Sequence, residues 1–145
     1  RGTLTTARGR VASKLHRMPM LDLRYRPFWI AASVVLVLGV VWGSLQSAFS
    51  GPSIQGFDKV QHFGTYLILA GWFTGLYGRP HWWRIVAGLL GLGFAMELGQ
   101  YAMQSGRMGD PYDMAANTGG VAVGIVVAWL LTGGWAQKVE AWLVR

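Results

Sequence analysis

No cysteine occurs in the chain. That excludes disulfides and thiolate metal sites, and it leaves the redox compartment open. Charge is scarce as well: 13% of the 145 residues are Asp, Glu, Lys or Arg, against about 25% in an average soluble domain. Acids are rarest, six against thirteen Lys and Arg. No Ser or Cys stands in a recognisable nucleophile setting, so any hydrolysis would need an activated water. What is abundant is apolar surface, 52% of residues, and glycine, 21 of them. So much glycine is odd in a soluble helical protein. It suits membrane helices, where it lets backbones approach closely.

Four apolar segments follow, at roughly 27–46, 58–77, 82–103 and 117–135. Each is close to the ~20 residues with which a helix crosses a hydrocarbon core of about 30 Å. Ser50-Gly51-Pro52-Ser53, Gly78-Arg79-Pro80, Ser105-Gly106 and Gly133-Gly134 punctuate them. These features predict an all-α membrane protein with four transmembrane helices in a compact bundle. It divides into a basic arm (1–26), the helical domain (27–135) and a tail (136–145) that lies along the interface as a short helix. The first segment has a second reading as a cleaved signal peptide, because Ala48-Phe49-Ser50 is small-x-small. Its apolar stretch is longer than such peptides carry. The chain starts at Arg1 and not at a methionine, so residues 1–19 are read as an added or over-called start, with Met18 or Met20 the natural one, and are set aside from the fold.

The net charge of +7 raises nucleic acid as a partner, but its placement argues for orientation instead. Arg1, Arg8, Arg10, Lys14, Arg17, Arg24 and Arg26 all precede the first segment. Arg79 and Arg84 fall between the second and third, and Lys138 and Arg145 in the tail. The 47–57 loop carries no charge, and the 104–116 loop sets Arg107 against Asp110 and Asp113. Basic loops stay in the cytosol, so both termini are expected inside, with no nucleic-acid partner. Trp29, Trp82, Trp83 and Trp135 would form an inner aromatic belt.

Small residues recur every fourth position: Ala87, Gly91, Ala95 and Gly99 in the third segment, Ala116, Gly120, Gly124 and Ala128 in the fourth, and Gly71 and Gly75 in the second. Such stripes form grooves for neighbouring helices, and the third and fourth segments are expected to be a close pair.

Against this background a polar set gathers at one side. Asp58, Lys59 and His62 open the second segment, Glu97 and Gln100 close the third, and Arg107, Asp110, Asp113 and Asn117 lead into the fourth. Charged groups in or beside hydrocarbon are costly, face the bundle interior and mark function. Asp58, His62 and Thr65 share a helix face, with Tyr66 beside it; so do Glu97, Gln100 and Gln104, and Asp113 with Asn117. Turned inward, these faces make one pocket under the outer loops. Plainer roles stand beside the functional ones. Asp58 and Asp110 can cap helices, the latter with Pro111 at the first helical position. Lys59 can snorkel to head groups. His62 can be a packing histidine, and Asn117 a helix–helix hydrogen-bond partner. Glu97, inside an apolar helix, demands a partner, and Arg107 is the natural one for it or for Asp113. Two positives against four acids leave the pocket acid-rich. That suits a cationic ligand, a bridging divalent metal, or charges paired to order the site. No ligand spacing compels Mn²⁺, Mg²⁺ or Zn²⁺, and no cofactor is expected.

Asp58-Lys59-Val60-Gln61-His62-(x)3-Tyr66-Leu67, then Glu97-(x)2-Gln100, then Arg107-(x)2-Asp110-(x)2-Asp113-(x)3-Asn117-(x)2-Gly120, taken together, resemble the VanZ-like family over roughly residues 28–134. The resemblance implies a small protein of the bacterial inner membrane, in a family whose named member is associated with low-level resistance to the glycopeptide teicoplanin. It supplies a process and not a reaction. Three functions are compatible. In the first, an outward pocket binds an envelope precursor, a lipid head group or a glycopeptide. In the second, the chain is an enzyme on a lipid-linked substrate, with Glu97 or Asp58 as base, His62 as acid or base, and Lys59 and Arg107 holding phosphate or carboxylate. In the third, it is a structural subunit whose polar cluster only fixes helix register. Tyr66, Gln100, Asp110, Asp113 and Asn117 would complete the binding surface, and membrane lipid is the expected partner.

Overall fold

The computed structural model describes residues 20–45, 56–102 and 111–144. Among these the chain is helical: α1 Arg26–Leu45, α2 Phe57–Leu76, a 3-10 turn Arg79–His81 running into α3 Trp82–Ala102, α4 Pro111–Val127, and α5 Trp135–Leu143. α4 continues through a wider turn, Ala128–Thr132, closed by Gly133 N–H donating to Ala128 O at 2.7 Å. The helix boundaries follow local chemistry. Pro111 opens α4, where its missing N–H goes unneeded, and Asp113 puts an acid in the first turn. Gly56 precedes α2 at φ 86° and Gly134 precedes α5 at φ 72°, a region that other residues rarely adopt.

Arg26–Leu45, Arg79–Ala102 and Pro111–Thr132 are long and apolar enough to cross a membrane. α2 has the length but is diluted by Asp58, Lys59, Gln61, His62 and Thr65 in its first half. It is also the central helix, burying Tyr66, Leu69, Ala70, Thr74, Gly75 and Leu76 against its neighbours. Of its polar groups, His62 is largely withdrawn from solvent, whereas Gln61 is exposed and Asp58 and Lys59 are partly so. Large apolar side chains point outward: Val35, Leu38, Trp42, Ile68, Phe94 and Leu98 are all more than half exposed. Such a surface would aggregate in water and fits lipid.

The expected pairing of the third and fourth segments is corrected. The small residues of α4 press on α2. A Cβ on Gly120 would collide with the Phe63 carbonyl, and one on Gly124 would lie 2.7 Å from Ala70 Cβ and 2.9 Å from Leu67 O. The α3 stripe faces out: Ala87, Gly91 and Ala95 are exposed, and nothing lies within 4 Å of a Cβ built on Gly91. In α3 it is Gly93, outside the stripe, that faces Asn117 and Tyr66. Periodicity marks where a backbone can come close, not which helix does.

The tryptophans differ from the expected belt too. Trp83 is 65% exposed, but Trp29 and Trp82 are buried and Trp135 is half-buried. Trp29, Trp72 and Trp135 pack together edge-on or tilted at centroid separations of 5.3–5.8 Å. Each indole N–H has an acceptor: Glu140 Oε1 at 2.7 Å, Ser33 Oγ at 2.8 Å and Gly71 O at 3.0 Å, respectively. A buried indole needs such a partner, so these rings plug one end of the bundle. Glu140 of α5 is buried there, and also accepts from the backbone N–H groups of Arg24 at 2.7 Å and Tyr25 at 2.9 Å. It serves the unpaired donors at the start of α1. Burial raises the Glu140 carboxyl, but the donors from Tyr25, Trp29 and Arg24 outweigh it and hold the group below its ordinary value.

Candidate functional site

The other end of the bundle is polar. The start of α2, the last turns of α3 and the start of α4 converge there. His62 Nε2 lies 3.5 Å from Asp113 Oδ2. His62, Glu97 and Asp113 each place a ligand-capable atom within 4.8 Å of the others. Lys59 Nζ bridges Asp58 Oδ2 at 2.7 Å and Asp113 Oδ1 at 2.8 Å. The Asp113 side chain is 9% exposed and that of His62 13%, so both are largely withdrawn from solvent. Asn117, 1% exposed, sits one turn below Asp113. Its Oδ1 accepts from His62 Nδ1 at 3.1 Å. The close α2–α4 contact at Gly120 fixes this register, since Phe63 follows His62 directly.

Of the expected residues, Asp58, Lys59, His62, Tyr66, Glu97, Gln100, Asp113 and Asn117 lie at this end. Arg107 and Asp110 lie outside the described residues, as does Gln104. Among the described residues, Lys59 is the cation that pairs with Asp113. Its ammonium turns into the cluster while its side chain stays one-third exposed. Asp58 stands inside the first turn of α2, Gly56 being the residue that precedes the helix, and it pairs with Lys59. Gln100 is buried and reaches away from the acids: its Nε2 donates to Ser44 O of α1 at 2.7 Å.

The α1 contribution is missing from the sequence reading. A groove of about 530 Å³ runs between α1, α2 and α3. Val35, Leu36, Gly39, Val40 and Gly43 form its apolar wall, and Gln61, His62, Thr65, Tyr66, Ser44 and Gln100 its polar side. Gly39 and Gly43 have the four-residue spacing that in membrane helices joins neighbours, yet a Cβ on either would meet nothing within 4 Å. Here the missing side chains leave open space. The spacing Gly39-(x)3-Gly43 is the signal that could have pointed to it.

A family model described as VanZ/LLP1 matches residues 5–132. No curated protein and no solved structure matches the chain. The matched stretch holds the whole polar end and the groove, and it stops before α5.

Proposed function

The chain belongs to the VanZ/LLP1 family, and from that premise we propose that it is an amphiphile-binding protein of the bacterial inner membrane. In this reading α2 is a fourth membrane crossing, both termini are cytoplasmic, and the polar end faces outward. An acyl or prenyl chain lies along the apolar wall of the groove. The head group, from an envelope precursor, a membrane lipid or a glycopeptide, meets His62, Gln61 and Gln100. The groove carries the proposal: it is apolar along Val35–Gly43 of α1 and reaches the polar cluster through His62. Binding sites have this form, an apolar cleft with few polar groups to fix orientation. Contribution to glycopeptide resistance follows if the occupant is the antibiotic or its lipid-linked target.

Native mass spectrometry of protein extracted from bacterial membranes in mild detergent tests the reading. One retained lipid per chain is expected, and delipidated protein that shows no uptake of membrane lipids or lipid-linked precursors would overturn it. Orientation has its own test in the cysteine-free background. Ser53→Cys and Ser105→Cys should label with an impermeant maleimide on intact cells, and Ser13→Cys should not.

The contact of His62 with Asp113 favours one further reading, an enzyme acting by acid–base chemistry on a lipid-linked substrate with water as nucleophile. Turnover of such a substrate, abolished by Glu97→Gln in a folded protein, would establish it over binding alone. A purely structural role predicts instead that Glu97→Gln unfolds the bundle.

A further inference from the structure

Asn117 Oδ1 can only accept, so the 3.1 Å contact puts the imidazole proton of His62 on Nδ1. In the neutral ring the other nitrogen, Nε2, then carries a lone pair. It is aimed at Asp113 Oδ2, an acceptor, 3.5 Å away. Two acceptors facing each other need a proton or a metal ion between them. Among the described residues the cation of the cluster, Lys59, stands to one side, on Asp113 Oδ1 and Asp58. Asp113 Oδ1 is sealed from solvent and accepts no well-formed hydrogen bond from the described residues, although the ammonium is 2.8 Å away.

We propose that His62 Nε2, Glu97 and Asp113 bind one divalent cation of the Mn²⁺ or Zn²⁺ kind. Each ligand comes from a different helix, and one ligand-capable atom of each residue already lies within 4.8 Å of the others. One imidazole with two carboxylates is a donor set for these ions more than for Ca²⁺. Three protein ligands leave coordination positions open, as in sites that bind or activate a further ligand. Asn117 does what a residue behind a metal-bound histidine does, fixing the tautomer and the ring. Two carboxylate ligands also match the charge of a dication. Lys59 keeps Asp58 as its partner when the ion enters. A loaded site would also accept phosphate oxygens, which the acids alone repel.

The inference extends the lipid reading but does not rest on it. The ion is measured in detergent without lipid, and the lipid can be measured in EDTA, so either can fail alone. The experiment is a Mn²⁺ titration of EDTA-stripped protein followed by electron paramagnetic resonance, with Zn²⁺ as competitor. One saturable equivalent is expected, displaced by Zn²⁺. Asn117→Ala should weaken it by roughly 10- to 100-fold, and His62→Gln, Asp113→Asn and Glu97→Gln by more, in samples that elute as folded monodisperse protein. No saturable uptake of either ion by the wild-type chain would overturn the proposal, as would uptake that survives His62→Gln and Asp113→Asn. So would ¹⁵N resonances showing both His62 nitrogens protonated at neutral pH in the presence of Zn²⁺, because a proton would then occupy the ion's place.

Discussion

His62 and Asn117, fifty-five positions apart in the chain, meet through Nδ1 and Oδ1 at 3.1 Å. The contact crosses from α2 to α4 and decides which imidazole nitrogen faces the acids. The chemistry of the polar end therefore depends on a residue that itself need touch no ligand.

Asn117→Leu should remove that control. Hydrogen bonds between membrane helices are worth on average about 0.6 kcal/mol and at most about 1.7, so the variant should fold with a small loss of stability. Its His62 ring should no longer hold one tautomer. Thermal unfolding in detergent reads the first effect, and ¹⁵N chemical shifts of the His62 ring read the second.

Gly120→Leu and Gly124→Leu should be far more damaging. The added atoms meet the backbone at Phe63 and Leu67, which cannot move aside without separating α2 from α4. Overpacking costs about 1–3 kcal/mol even where side chains can adjust. Gly91→Leu, at a position equally deep in a small-residue stripe but facing open space, should fold as well as the parent. Size-exclusion profiles of fluorescent fusions separate the two outcomes.

Gly39→Leu should fill the groove without strain, since its Cβ direction is open. Yield and melting temperature should hold, while lipid retained in native mass spectra should fall. Equal retention would put any lipid elsewhere.

Glu140 gives the fold a pH dependence whose sign is set. Its carboxyl in the folded chain lies below its ordinary value, about 4.3 for an unperturbed Glu. The stabilisation is fully present above that ordinary value. It is lost as pH falls through the lower, folded one. Melting temperature followed from pH 7 down to pH 3 should drop in this range, with tryptophan emission reporting the release of Trp29. Glu140→Gln should start lower at pH 7 and show a flatter decline.

Helix positions were legible because glycine and proline punctuate long apolar runs, and Pro111 marks the start of α4 where the chain indeed turns helical. The gathering of Asp58, His62, Glu97 and Asn117 was legible because polar residues in apolar segments have few places to go. Which helices touch was not. The stripes of α3 and α4 look alike in sequence, but one meets α2 and the other faces outward. Glu140 was missed because a lone acid in a short tail resembles any surface charge. Only the tertiary arrangement brings the donors of Arg24, Tyr25 and Trp29 to it. Tryptophans near a helix end fit either a belt or a plug, and hydrogen-bond partners far along the chain decide between them.

The backbone-to-backbone seat of Gly120 on Phe63 has a final implication. It makes α2 and α4 a stiff wall carrying His62, Asp113 and Asn117, whereas α1 stands across a cavity and buries only Trp29. Substitutions along α1 therefore change the shape of the cleft while His62, Asp113 and Asn117 keep their spacing. In the binding reading proposed above, the choice of occupant is set by one peripheral helix and the polar end by the other two.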